Sequence, residues 1–147
     1  MPITKKLAIV DIDETIFDIQ QRYDKKRDIL LPAKYYGYLD KPYPEAKEFI
    51  KFLLDNNFYI LFLTGRPQEE RDITIYQLTS HNIIPPEKFK KQVFLITHKP
   101  QSKKDIDNYL YKIGILLYLL KKGIKPLLWL EDSWTYIKDH YKKLNKV

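Results

Sequence analysis

Short apolar runs alternate along this chain with segments of helical periodicity. Four runs rich in Leu, Ile, Val and Phe lack the polar alternation of a half-exposed strand, which is typical of strands buried on both faces of a parallel sheet. They lie at Leu7–Val10, Phe58–Leu63, Val93–Ile96 and Leu127–Leu130. We therefore predict four parallel strands.

Amphipathic helices are predicted between the strands. One begins with Pro44 at its first position and ends at Asn56–Asn57. Another is predicted to begin at Pro67 and to reach about Ser80. The apolar stripe of the first helix comprises Ala46, Phe49, Ile50, Leu53 and Leu54.

Two more helices are predicted in the last third of the chain. Ser102 and Asp105 resemble a capping box that opens a long helix, and Gly123 suits the position just past its end. The predicted apolar stripe of this helix is Ile106, Leu110, Ile113, Leu117 and Leu120. A final helix would carry Trp134, Ile137, Tyr141 and Leu144 on one face.

The order β-α-β-α-β-α-β-α predicts a single α/β domain over residues 1–147. Strand–helix–strand units of this spacing make right-handed crossovers, which place helices on both faces of the sheet. We expect a Rossmann-like three-layer α/β/α architecture.

One insertion interrupts this order at about residues 18–43, and we call it the flap. It has no convincing periodicity and contains Pro32, Gly37 and Pro42 as breakers. A segment this short cannot build a separate core. We therefore expect short elements leaning over the crevice and no cap domain.

The composition fits a globular protein, with 44% hydrophobic and 31% charged residues in 147. The absence of cysteine excludes disulfides and thiolate chemistry. The four apolar residues before Asp11 are too few for a signal-peptide core, and no segment approaches the length of a membrane span. We expect a cytoplasmic protein with no membrane partner, and the oligomeric state stays open.

The net charge of +7 is distributed in small groups of lysines and arginines along the chain. Such a distribution is more typical of a solvated surface than of a nucleic-acid footprint. A basic protein nevertheless attracts polyanions.

Acidic residues follow the first predicted strand, where Asp11 and Asp13 are separated by one residue. Ligands of parallel sheets bind at the carboxyl ends of strands. Two carboxylates gathered there need a cation or hydrogen bonds, and Mg²⁺ is the natural cation for carboxylate and water oxygens. The alternative is an ordinary acidic turn.

Two other strand ends carry polar residues. Thr64-Gly65-Arg66 follows the second strand and could form an anion site at a helix N-terminus, although a plain turn is the alternative. Glu131-Asp132 follows the fourth strand and could add metal ligands, although either Asp132 or Ser133 could instead cap a helix.

These motifs, in this order, resemble the haloacid dehalogenase-like (HAD) superfamily of aspartate-nucleophile phosphatases, capless type. The sequences DIDET at 11–15 and FLTGRP at 62–67 are most similar to the acid-phosphatase branch. The acidic pair at 131–132 resembles the paired form found in polynucleotide 3′-phosphatases.

The resemblance implies a role for each site residue. Asp11 would be the nucleophile that forms an aspartyl-phosphate, and Asp13 the general acid and base. Thr64, Gly65 and Arg66 would contact the phosphoryl group or the substrate.

The resemblance also implies a fixed lysine and a metal. Lys112 stands twenty positions before Asp132, off the predicted apolar stripe, and would be the catalytic, phosphoryl-binding lysine. Lys103 and Lys104 are its rivals. Mg²⁺ would be held by Asp11, the backbone carbonyl of Asp13 and Asp132, with Glu131 as a more distant ligand.

The substrate is the most open question. A capless site suits phosphates on large molecules, and the flap offers basic residues for backbone phosphates and tyrosines for stacking. A polynucleotide 3′-phosphatase is thus one expectation, and a small-molecule phosphatase is the alternative. A non-catalytic module that binds nucleic acid or protein is a third. The flap residues concerned are Arg22, Lys25, Lys26, Arg27, Tyr35, Tyr36 and Tyr38, whose tyrosines could equally pack on the core.

Overall fold

The computed structural model of the chain describes residues 6–98 and 105–132, with the side chains of 105–109 left out. Its strands are β1 (Lys6–Val10), β2 (Phe17–Asp18), β3 (Tyr23–Asp24), β4 (Ile29–Leu30), β5 (Lys41–Pro42), β6 (Phe58–Pro67), β7 (Val93–His98) and β8 (Leu128–Leu130). Its helices are α1 (Ala33–Tyr36), α2 (Pro44–Asp55), α3 (Arg71–Ser80) and α4 (Asp105–Lys121). The predicted final helix and Ser102 of the predicted capping box lie outside the described residues.

A parallel sheet with strand order β7-β6-β1-β8 forms the centre of the protein. In its register Val10, the last residue of β1, lies beside Phe62 on one side and Leu130 on the other. The carboxyl ends of β1 and β8 are therefore level. The residues that follow these two strands, Asp11 and Glu131, leave the sheet at the same edge.

Helices cover both faces of this sheet, as the alternation of side chains along a strand requires. Ala8 and Val10 of β1 pack on one face with Ile50 and Leu53 of α2. Ile9, between them, packs on the other face with residues of α4. The predicted α/β fold with a parallel sheet and helices on both faces is confirmed.

The α2 helix agrees closely with its prediction. Pro44 is its first residue, and the chain leaves it through Asn57, which has a left-handed φ of 63°. Three members of the predicted stripe, Ala46, Ile50 and Leu53, are buried.

The predicted apolar stripe of α4 is partly wrong. Ile113 is buried, but Leu110 is 42% exposed. Because residues 113–120 are apolar almost all round, their periodicity does not single out one face. The residues packed against Ile9 and the neighbouring β6 residues are Tyr111, Ile115, Leu116 and Leu119.

The segment after Leu63 differs from the predicted strand-to-helix turn. Strand β6 continues through Thr64, Gly65 and Arg66 to Pro67, with an irregular register against β7. A 3₁₀ turn at Gln68–Glu70 follows, and α3 begins only at Arg71. The prediction of a helix beginning at Pro67 is therefore wrong, and no helix N-terminus lies at Gly65.

The flap consists of several short elements. At its base β2 pairs antiparallel with β5, and further out β3 and β4 form a second antiparallel pair. Helix α1 and a 3₁₀ turn at Gly37–Leu39 complete it. In residues 6–98 and 105–132, no helix combines the length and apolar character needed to cross a bilayer.

Candidate active site

The carboxyl end of β1 supplies the first acidic residue of the site. Asp11 follows the last strand residue and is buried, with 4% of its surface exposed. Its backbone N–H donates to the carbonyl of Leu130 in β8 at 2.9 Å. This bond carries the parallel pairing one residue past β1 and fixes Asp11 beside the end of β8.

Three carboxylates meet at this point. One carboxylate oxygen from each of Asp11, Glu131 and Asp132 lies within 4.8 Å of the others. Asp132 is exposed, whereas the side chains of Asp11 and Glu131 are only 6% and 1% exposed. The cluster thus has one open side.

Lys112 is the cation of this cluster. Its Nζ donates to Asp11 Oδ1 at 3.0 Å and to Glu131 Oε2 at 2.6 Å. It lies on the face of α4 that carries Ile115, Leu116 and Leu119, at helical spacings of three, four and seven residues. The sequence placed Lys112 off the predicted apolar stripe, but in the structure it shares the apolar face of α4. It points from that face into the acidic cluster, and its rivals Lys103 and Lys104 lie outside the described residues.

Burial governs the protonation of these groups. It raises the pKa of the Asp11 carboxyl well above its ordinary value, because the attraction of Lys112 offsets only part of the desolvation and Glu131 adds repulsion. Burial also raises the pKa of Glu131. For Lys112 burial lowers the pKa, but the two carboxylates outweigh it and the net shift is upward. The cluster retains protons more strongly than free carboxylates do.

The second motif lies on the irregular part of β6. Gly65 and Arg66 line the cavity beside Asp11. Thr64 is fully buried, and its Oγ1 accepts the backbone N–H of Arg66 at 3.1 Å. The phosphoryl-binding roles of Thr64 and Gly65 remain predictions.

Arg66 has protein partners in this structure. Its Nε and Nη2 donate to Asp13 Oδ1 at 3.0 and 2.7 Å. Its Nη1 donates to Thr74 and Gln77 of α3 at 2.9 and 2.6 Å. The side chain that the sequence offered to the substrate therefore holds the second aspartate of the first motif.

The sequence did not identify Arg22 and Asp40 as a buried ion pair beside Asp13. Arg22 and Asp40 are buried in the flap, and Arg22 Nε donates to Asp40 Oδ1 at 2.7 Å. Arg22 Nη2 also lies 3.3 Å from Asp13 Oδ1. The interpretation of Arg22 as a contact for backbone phosphates is wrong, because its side chain is buried and only 2% exposed. Arg22 and Asp40 are eighteen positions apart, and no local spacing signals the pair.

Glu14 ties both ends of the flap to the turn after β1. Its Oε1 accepts the backbone N–H of Ile19 at 3.0 Å, and its Oε2 accepts the hydroxyl of Tyr43 at 2.7 Å. This second bond raises the pKa of Tyr43 to about 12. Glu14 has a left-handed φ of 62°, which is uncommon for a residue with a Cβ and is held here by these contacts.

A cavity of about 480 Å³ opens between the strand ends and the flap. The apolar lining residues on the flap side are Ile19, Leu30, Leu31 and Pro32, and Arg22 also lines the cavity from the flap. The charged lining residues are seven acids and three bases, namely Asp11, Asp13, Glu14, Glu69, Glu70, Glu131 and Asp132 against Arg22, Arg66 and Lys112. Because acidic residues outnumber basic ones, an anionic phosphate would bind in this cavity more readily if a cation were bound there too.

The donor set fits a divalent metal. Carboxylate oxygens are hard ligands of the kind that Mg²⁺ and similar ions prefer. Asp11, Glu131 and Asp132 offer three such ligands at mutual distances that one ion can bridge. Burial raises the pKa values of Asp11 and Glu131, so a cation bound beside them would favour their ionised form.

The model of the family described as HAD superfamily, subfamily IIIB (Acid phosphatase) matches residues 3–145. A search of curated proteins finds no match. Because the family match covers nearly the whole chain, this protein belongs to subfamily IIIB of the HAD superfamily and is a HAD-type phosphatase, a phosphoric monoester hydrolase.

Proposed function

We propose that the protein is a Mg²⁺-dependent phosphomonoesterase that acts through a phosphorylated Asp11. The observation that carries this proposal is the buried contact of Lys112 with both Asp11 and Glu131, next to Asp132. A single fixed cation between carboxylates at two strand ends supports covalent catalysis on one of them.

Two carboxylates divide the reaction. An oxygen of Asp11 attacks phosphorus and forms an O–P bond, while the bond from phosphorus to the leaving oxygen breaks. Asp13 gives a proton to that leaving oxygen, and later takes a proton from the water that attacks the phosphorus of aspartyl-phosphate. Inorganic phosphate leaves, Asp11 returns to its free carboxylate, and Asp13 carries a proton again for the next turnover.

Lys112 and the backbone around Gly65 would hold the phosphoryl oxygens. Mg²⁺ would be held by Asp11, Asp132 and the backbone carbonyl of Asp13, with Glu131 nearby, and when bound it would neutralise charge between the carboxylate and the phosphate. Glu131 already accepts from Lys112, which supports a direct role for Asp132 and an orienting role for Glu131.

The cavity favours a small phosphomonoester as substrate. A volume of about 480 Å³ and an apolar flap wall suit a compact leaving group with an apolar face. Seven acidic lining residues would repel the further phosphates of a polyanion.

A polynucleotide 3′-phosphatase remains the second candidate. Lys25 and Lys26 are exposed on the flap, and Tyr35 and Tyr38 are 67% and 78% exposed. These residues could contact a nucleic-acid chain outside the cavity. Arg22 cannot join them, and Arg27 is paired with Asp24 at 2.7 Å.

Replacing Lys112 tests the proposed role of the cluster. Lys112→Met should lower kcat/KM by on the order of 10²–10³, because the phosphoryl charge and Asp11 lose their fixed cation. Lys121→Met, an exposed position on the same helix, is the matched control and should keep wild-type activity. Wild-type activity in Lys112→Met would contradict the assignment.

Metal dependence and its pH profile form the second prediction. Activity should be lost in excess EDTA and return with Mg²⁺. Because the pKa values of Asp11 and Glu131 are raised in the folded state, their stabilising effect is present at low pH and is lost as pH rises through those pKa values. Mg²⁺ competes with these protons, so it should raise the melting temperature more at about pH 8 than at about pH 5. An equal gain at both pH values would contradict the metal site.

Substrate class can be measured directly. A nucleoside 3′-phosphate should be hydrolysed with a kcat/KM about tenfold or more above that of an oligonucleotide with the same 3′-phosphorylated end, because the acidic cavity repels the longer anion. Added salt should reduce this difference in kcat/KM, because it screens the repulsion between the acidic cavity and the oligonucleotide. Preference for the oligonucleotide at low salt would reverse the choice between the two candidates.

A further inference from the structure

A buried polar network lies behind Asp13. Two arginines from separate parts of the chain donate to the same oxygen of this carboxylate. Arg66 of β6 approaches Oδ1 with Nη2 at 2.7 Å, and Arg22 of the flap approaches it with Nη2 at 3.3 Å. Both arginine side chains are only 2% exposed, whereas Asp13 is 26% exposed and lines the cavity. One side of Asp13 is therefore held and the other remains accessible.

Asp40 fixes the two arginines relative to each other. Its Oδ1 accepts from Arg22 Nε at 2.7 Å, and its Oδ2 accepts from Arg66 Nη2 at 3.1 Å. Its side chain is completely buried. Because a guanidinium group is planar and donates in fixed directions, a carboxylate that bridges two of them sets their orientation as well as their charge balance.

The same network attaches the flap to α3. Gln77 Nε2 donates to Asp40 Oδ2 at 2.9 Å and to the carbonyl of Gly37 at 2.8 Å. Arg22 Nη1 donates to the carbonyl of Leu31 at 2.9 Å. Thus the residues that hold the flap in place also hold Asp13. A flap that shifts would move Arg22 and Asp40 together.

We propose that Arg22 and Asp40 are positioning residues that couple the docked flap to the orientation of Asp13, and thereby to protonation of the leaving group. The inference rests on the proposed role of Asp13 as proton donor. It assigns to the flap a function beyond forming one wall of the cavity. Neither residue touches the phosphate or the nucleophile in this account.

Leaving-group dependence separates positioning from general damage. p-Nitrophenolate departs without a proton, whereas an alkoxide such as that of glycerol 2-phosphate needs one. The value of kcat/KM includes only steps up to departure of the leaving group, and so it isolates proton donation from the later attack of water. A misplaced Asp13 should lower kcat/KM for the alkyl ester by about 10²-fold, the ordinary contribution of general acid catalysis, and leave the p-nitrophenyl ester within about threefold.

Two variants and one control make the test. Arg22→Met removes the contact with Asp13 and Asp40, and Asp40→Asn removes the bridging charge while keeping the shape of the side chain. Arg27→Met is the matched control, because Arg27 lies on the same flap but is 65% exposed and pairs only with Asp24 among its described ion pairs. Melting temperature and near-ultraviolet circular dichroism verify the folded state of each variant.

A selective loss on the alkyl ester in both variants, with Arg27→Met unchanged, would support the proposal. Equal losses of kcat/KM on the two esters, or no loss at all, would overturn the proposal. Failure of both variants to fold would also overturn it, because the network would then have only a structural role. Absence of activity in the wild-type protein would instead reject the proposed function, so the two failures are distinguishable.

Discussion

Negative charge gathered at the end of a buried strand is the constraint on which this structure depends. The parallel register of β1 and β8 brings Asp11 and Glu131 to the same edge of the sheet, and Asp132 follows directly. Carboxylates packed this closely and partly desolvated repel one another. Lys112 relieves part of that repulsion from across the sheet edge, but burial still raises the pKa of Asp11. Further positive charge, such as that of a bound metal ion, would stabilise these carboxylates.

The second aspartate of the first motif has a different environment. Asp13 faces two arginines, not a lysine, and Asp40 balances their charge. Asp11 and Asp13 are thus only two residues apart in sequence but belong to separate electrostatic neighbourhoods. Two carboxylates in unlike surroundings can perform unlike tasks, one as nucleophile and one as proton carrier.

The sequence was informative wherever a single strand or helix carried the signal. The apolar runs and the periodicity of α2 predicted the sheet and its packing, because burial imposes a period on each element. The resemblance singled out Lys112, but the nearly uniform apolar surface of α4 concealed which face that lysine occupies.

Long-range polar pairs were not predictable in the same way. Arg66 and Asp13 are fifty-three positions apart, and Arg22 and Asp40 are eighteen positions apart. Arginines in a flap rich in charged residues look like solvent-exposed groups until the fold encloses them. The extended course of β6 past Leu63 also depends on long-range contacts that the local sequence does not show. Arg66 is held there by partners in α3 and in the flap.

The most direct test of the central claim is to trap the phosphorylated enzyme. Acid quenching during turnover, followed by borohydride reduction, should convert a phosphorylated Asp11 to homoserine, which peptide mass spectrometry would locate at position 11. We expect this product at Asp11 in the wild-type protein and its loss in Asp11→Asn. Homoserine at another aspartate, or rapid turnover with no trapped aspartate, would contradict it.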